Sequence, residues 1–287
     1  MKIMRMAKNI SLTNYVVLWK VLALALILQS MIFQAMTQSA DEVLLVLIVW
    51  WGAYLALDLL PYTNHLRPSP LGAGLGFLLV LWVLWRSVLI SGANLGSTLL
   101  PLLAGLGLAL LATPLRGLRR FLPAIGILAL LPLMRALLIP YPTLITKATA
   151  YLAKFFLLLC GLPVLVQDNL VRLPGGNVVV ASQCTGLPAM LQLLTVSLIF
   201  AIVFPMRFRW QNVLMSLCAI VLGFLINGLR IALLAIINAS THPSRQWLFD
   251  NFHNGWPAWI FPGIAALLFV NIYTLWLEHQ VDQLEGQ

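Results

Sequence analysis

The chain has 287 residues, 61% of them hydrophobic and 9% charged, with a net charge of +9 and a mean hydropathy of +0.97. A water-soluble domain carries about 25% charged residues, so this chain cannot cover itself with a hydrated surface. Its basic residues stand singly at loop ends, which argues against a nucleic-acid partner and fits the way membrane proteins set their orientation.

Apolar runs long enough to cross a hydrocarbon core of about 30 Å recur along the chain. They predict membrane-spanning helices over roughly 15–36, 43–61, 71–91, 96–113, 119–139, 186–205, 211–239 and 256–277. The first apolar run, Val21 to Phe33, continues past any small-residue cleavage pattern and reads as a retained span. Alternate connections are basic: Lys2, Arg5 and Lys8, then Arg67, then Arg116, Arg119 and Arg120, then Arg207 and Arg209. The first connection instead holds Asp41 and Glu42, and the third, Ser91 to Gly96, is uncharged. This pattern puts both termini in the cytoplasm, with the acidic C-terminal tail contributing little to the rule. The expectation is an all-α integral membrane protein of about eight transmembrane helices, a single polytopic domain over 1–287 in the plasma (inner) membrane. It contains no repeat and no linker.

Residues 140–185 interrupt the series. A ninth span at Leu144 to Val166 would move Arg207 and Arg209 to the outer side, against the charge pattern. Leu144 to Leu159 also reads as amphipathic, with Lys147 and Lys154 on one face and Ile145, Leu152, Phe155 and Phe156 toward another. The expected element is a helix in the outer interface. After it, Asn169–Leu173 and Val178–Ser182 flank Pro174-Gly175-Gly176-Asn177, a turn-rich tetrapeptide that predicts a small hairpin. Its backbone cannot face lipid unpaired, so it belongs in water or against protein.

Cys184 follows the hairpin, and Pro188 suits the first turn of the next helix. A cysteine at a helix N-terminus meets unsatisfied amide donors and the positive dipole end, both of which favour the thiolate. Taken singly a membrane cysteine is a small packing residue, and Cys160 and Cys218 keep that reading. Arg230 lies deep in the apolar run Val213 to Ile237, in its outer part. A charge there costs on the order of 2.5–3.5 kcal/mol on insertion scales, so it needs a partner or a wet cavity. Arg86 and Arg135 sit near span ends and can snorkel. His253 stands where the last outer loop meets the eighth span, and its imidazole can exchange protons near neutral pH. His242, in the same loop, competes for that role, whereas His65 and His279 fall on the cytoplasmic side.

These residues resemble the signature of the exosortase/archaeosortase family, bacterial exosortases in particular. The resemblance runs over about 160–260: Leu173-Pro174-Gly175-Gly176-Asn177-Val178-Val179-Val180-Ala181, then Cys184-Thr185-Gly186-Leu187, then Asn227-x-x-Arg230-Ile231, then His253. Thr185 departs from the Ser or Ala more usual after the cysteine. The resemblance implies a membrane-embedded cysteine peptidase or transpeptidase at the outer membrane face. Its substrates would be secreted proteins ending in a sorting signal: a short motif such as Pro-Glu-Pro, a hydrophobic span and a basic tail. Carried onto this sequence, Cys184 is the nucleophile, His253 the acid and base, Arg230 the oxyanion partner, and Asn227 a secondary candidate. No cofactor and no metal is implied. The competing expectation is a transporter or a scaffold subunit of an export system, in which Arg230 binds an anion and Cys184 is incidental. A thiol–disulfide enzyme is disfavoured by the absence of any CxxC pair.

Overall fold

The computed structural model describes residues 20–30, 32, 40–58, 68–89, 95–137, 142–181 and 184–285. Lys2, Arg5, Lys8, Arg67 and Ser182 from the topology argument lie outside them. The chain divides into two compact units, Met1–Ala136 and Leu137–Gln287.

The first unit is a set of apolar helices: α1 (Lys20–Ser30), α2 (Ala40–Asp58), α3 (Pro70–Leu89), α4 (Leu95–Ala112) and α5 (Leu122–Leu137). A 3-10 turn, Leu115–Phe121, precedes α5; it carries Arg116, Arg119 and Arg120 and buries no side chain. Close helix contact here depends on small residues. A Cβ on Gly76 would stand 2.8 Å from the Gly107 carbonyl oxygen, so α3 and α4 approach backbone to backbone. Polar side chains inside the unit find each other: Gln29 donates to Ser87, and the Trp50 indole donates to Ser30 at 3.2 Å.

The second unit begins with α6 (Pro142–Leu159), followed by strands β1 (Leu165–Gln167), β2 (Leu170–Leu173) and β3 (Gly176–Val179). Helices α7 (Leu187–Val203), α8 (Arg209–Ala239), α9 (Arg245–Asn254) and α10 (Ile260–Glu285) complete it. Within the described residues, each predicted span overlaps one of the helices. Among the described residues, five stretches are long and apolar enough to cross a membrane: Pro70–Leu89, Leu95–Ala112, Leu115–Leu137, Arg209–Ala239 and Pro257–Asp282. Lys20–Ser30, Leu44–Asp58 and Leu187–Val203 are shorter apolar helices. The protein is an all-α integral membrane protein apart from one small sheet.

That sheet exceeds the predicted hairpin by one strand. β1, β2 and β3 form an antiparallel meander, with Leu173 opposite Gly176 across the two-residue turn Pro174-Gly175. Asn169 and Val180 close its base through Val180 N–H to Asn169 O at 2.8 Å and Asn169 Nδ2 to Val180 O at 3.1 Å. Side chains alternate in the period-2 manner of a one-sided sheet. Val171, Leu173, Val178 and Val180 point inward, joining Ile231, Leu234 and Ala235 of α8 and Ala150, Ala153 and Leu157 of α6 in one core. The turn rests on the end of α8: a Cβ on Gly176 would meet the Asn238 carbonyl oxygen at 2.6 Å, so that position has room only for glycine.

Helix α6 turns its smaller residues inward. The buried stripe is Thr146, Thr149, Ala150, Ala153 and Leu157, at helical spacing. Leu144, Tyr151, Phe155, Leu158 and Leu159 are exposed, and Lys147 pairs with Asp168 of the β1–β2 turn at 2.9 Å. Small residues win the inner face because α8 passes close by: Leu152 lies directly over Gly228, where any Cβ would collide with it.

Candidate active site

The site is assembled in the second unit from the turn before α7, the C-terminal half of α8 and the last turn of α9. Cys184 sits in a short helical turn, its N–H bonded to the Ala181 carbonyl at 2.9 Å. Gly186 then caps α7 in the left-handed region at φ +80, with Pro at the first turn of the helix. A side chain at Gly186 would be strained by that φ and would also put its Cβ 2.7 Å from Asn227 Nδ2.

Asn227 and Arg230 lie one turn apart on α8, a spacing that puts both on the same side of the helix. Asn227 is 4% exposed and donates through Nδ2 to the Cys184 carbonyl at 3.1 Å. Arg230 donates through Nη2 to the His253 carbonyl at 2.6 Å. Its Nε is buried and has no hydrogen-bond partner among the described residues. His253 belongs to the last turn of α9, and its Nε2 stands 3.1 Å from Cys184 Sγ. Phe249 packs at 5.5 Å from the imidazole, centroid to centroid. The three residues singled out on separate stretches of sequence are therefore neighbours, and Asn227 joins them.

The electrostatics follow from burial. Cys184 is 6% exposed. Desolvation pushes its thiol above the ordinary value, and the Arg230 charge pulls it only partly back. His253 is pushed the other way, below its ordinary value, first by desolvation and then by Arg230, with Asp250 opposing. Burial thus opposes the expectation that the α7 N-terminus favours the thiolate. Both shifts favour the uncharged forms, a thiol beside an imidazole within hydrogen-bond reach.

His242, the competing histidine, is exposed and makes a local turn, its Nδ1 accepting the Ser244 N–H at 3.2 Å. Cys160 is exposed at the end of α6, and Cys218 lies within α8. Among the described residues, no three His, Cys, Asp or Glu side chains come together as a metal site would require.

A family model of transmembrane exosortases matches residues 34–270, which include every residue of this site. The chain belongs to the exosortase family. No curated protein and no solved structure matches it. Membership makes this exosortase a membrane-embedded enzyme of protein sorting.

Sequence reasoning did not find Thr149. It is fully buried on α6 and donates to the Thr185 carbonyl at 2.5 Å, immediately after the cysteine. The one available signal was a polar residue on the stripe opposite Lys147 and Lys154. Nor did it find α9, whose ten residues alternate polar and aromatic too briefly for a clear helical period.

Proposed function

We propose that this exosortase is a cysteine peptidase acting as a transpeptidase on secreted proteins that carry a C-terminal sorting signal. The observation that carries this reading is the 3.1 Å approach of Cys184 Sγ to His253 Nε2, with Arg230 bonded to the same histidine. In the reaction, Nε2 takes the thiol proton as Sγ attacks the scissile carbonyl carbon, giving a tetrahedral oxyanion. The Arg230 guanidinium offsets that charge, with backbone amides after Cys184 as further donors. Collapse breaks the C–N bond, and the imidazolium returns the proton to the leaving amine. The released C-terminal span departs, and a thioester joins the substrate to Cys184. An acceptor nucleophile, or water, then attacks the thioester carbonyl while His253 takes its proton, and the thiol is regenerated.

The long helix α8 supports the outer-face location of this chemistry. Arg209 opens it and Arg230 lies 21 residues on, about 30 Å at the rise of an α-helix. With Arg207 and Arg209 inside by the positive-inside rule, Arg230, Cys184 and His253 belong at the outer face, and α6 with the sheet lies in the outer interface. A substrate held by its own C-terminal span presents its scissile bond at that depth. A peptide reaches Sγ only by displacing part of the cover, because Cys184 is so nearly buried.

The test is processing of a secreted reporter with such a signal by wild type and by Cys184→Ala, Arg230→Ala and His253→Ala. All three substitutions are expected to abolish the size change. Wild-type processing by all three sinks the reading in favour of a transport or scaffold role. Loss in His242→Ala with retention in His253→Ala moves the base.

A further inference from the structure

The turn that carries the nucleophile is held by two side chains from two different helices, and both act on its carbonyls. Asn227 of α8 takes the Cys184 carbonyl at 3.1 Å, and Thr149 of α6 takes the Thr185 carbonyl at 2.5 Å. The Asn227 contact belongs to the family signature. The Thr149 contact does not, and its geometry is unusual for a helical threonine. A threonine inside a helix ordinarily returns its hydroxyl to the carbonyl four residues back. Thr149 Oγ1 stands 2.9 Å from the Ile145 carbonyl and nearer, at 2.5 Å, to Thr185 O. A hydroxyl has one proton to give, and the shorter contact takes it out of the helix and onto the nucleophile turn.

We propose that Thr149 is a positioning residue for the Cys184 nucleophile, fixing the Thr185 carbonyl so that the amides after the cysteine keep one orientation. A trans peptide carries its N–H opposite its C=O, and no cis bond occurs among the described residues. Tying the Cys184 carbonyl to α8 therefore turns the Thr185 N–H away from α8. Tying the Thr185 carbonyl to α6 likewise turns the Gly186 N–H away from α6. The left-handed Gly186 makes this possible, since it lets the chain reverse between the two anchored carbonyls and the start of α7. Released from Thr149, the Thr185–Gly186 peptide can rotate and bring a carbonyl dipole where the donors should be. That rotation removes stabilisation from both the thiolate and the oxyanion.

The packing supports a placed contact rather than a chance one. Thr149 is 0% exposed, between Ala150 and Thr146 on the stripe that faces α8, and Leu152 three residues on is seated over Gly228. The same α8 segment carries Asn227 and Arg230, so α6 is locked in register with both. The charged or titratable groups acting on Cys184 and His253 are Arg230 and Asp250; none lies on α6, so Thr149 acts by orientation alone.

The test has two arms, of which only the kinetic one rests on the peptidase reading. Full-length protein in lipid nanodiscs, with Cys160→Ser and Cys218→Ser, is alkylated with iodoacetamide across pH, and reporter processing is measured alongside. Thr149→Val keeps the shape and removes the donor; Thr149→Ser keeps the donor; Thr149→Ala serves where the valine variant does not fold. For the donor-less variants we expect kcat to fall roughly tenfold or more with KM within about twofold, a fraction of what losing an oxyanion donor itself costs. The pH midpoint of Cys184 alkylation should rise by about half a unit, as expected for one fewer favourable dipole at the sulfur, and Thr149→Ser should match wild type in both. An unchanged midpoint and kcat in Thr149→Val, or equal damage in the serine and valine variants, overturns the proposal. If no protein, wild type included, processes the reporter, the peptidase reading fails and the alkylation midpoint alone decides the role of Thr149.

Discussion

At the Arg209 end of α8, Tyr273 Oη donates to the Phe204 carbonyl at 2.8 Å, and the Gln280 amide donates to Gln211 Oε1 at 2.9 Å. The same Gln211 oxygen accepts the Phe208 N–H, and Gln280 Oε1 accepts the Arg207 N–H. Neutral groups there bind the α7–α8 connection to α10. Toward the other end of the helix, Asn227, Thr149 and Arg230 also bind a turn to its neighbours, but one member is charged and keeps a buried Nε with no partner among the described residues. Both ends use side-chain amides and hydroxyls to hold backbone carbonyls or N–H groups. Only the Cys184 end adds a half-buried charge, a thiol pushed up and an imidazole pushed down. A closed neutral network is a fastening; an unfinished charged one has capacity left for a ligand or a transition state.

The contrast is broken most sharply at Arg230. Arg230→Gln keeps a donor for the His253 carbonyl and removes the charge. Processing is expected to fall by about 100-fold or more, the scale of losing an oxyanion donor, and the ordinary burial of the helix end should survive. The same variant sharpens the electrostatic account, since Arg230 lowers both the Cys184 and the His253 values; both should rise when it goes.

A smaller effect is the shape of the pH profile. The working state needs a neutral imidazole and a protonated thiol. His253 lies below 6.5 and Cys184 above 9.0, so activity should hold level between those values. It should fall as pH drops through the lowered histidine value, where the base becomes protonated. Direct alkylation of Cys184 should have its midpoint above 9.0. A midpoint well below neutrality would mean a resting thiolate–imidazolium pair and would contradict the burial argument.

The smallest effect belongs to the neutral end. Tyr273→Phe removes one hydrogen bond to the Phe204 carbonyl, about 1 kcal/mol of stability. A lower thermal midpoint with unchanged processing is expected. A loss of processing as large as that of Arg230→Gln would erase the distinction between the two ends.

How much of this was legible in the sequence follows from the range of each signal. The helices announced themselves, because 20 apolar residues in succession have few other meanings. The turn at Pro174-Gly175 was readable from residues that fix or free the backbone. Arg230 stood out because a charge in an apolar run needs a reason, and Cys184 because Pro188 marked the helix start beside it. The third strand was not legible: Leu165–Gln167 is three residues long and gains its pairing only from β2. The amphipathic pattern of α6 was readable, but not which of its residues pack on α8: those are alanines and threonines, since what fits there is set by Gly228 on another helix. Thr149 was invisible for the same kind of reason. Its partner is a backbone carbonyl 36 residues away, and a carbonyl leaves no trace in the sequence.

The most direct measurement is a search for the covalent intermediate. Membranes containing wild-type or Cys184→Ala protein are mixed with the signal-bearing reporter, quenched in acid and digested for mass spectrometry. The expected result is a reporter fragment joined to the Cys184 peptide, released by hydroxylamine as a thioester is, and absent from Cys184→Ala. Reporter cleavage that persists in Cys184→Ala, or an adduct on another residue, would contradict it.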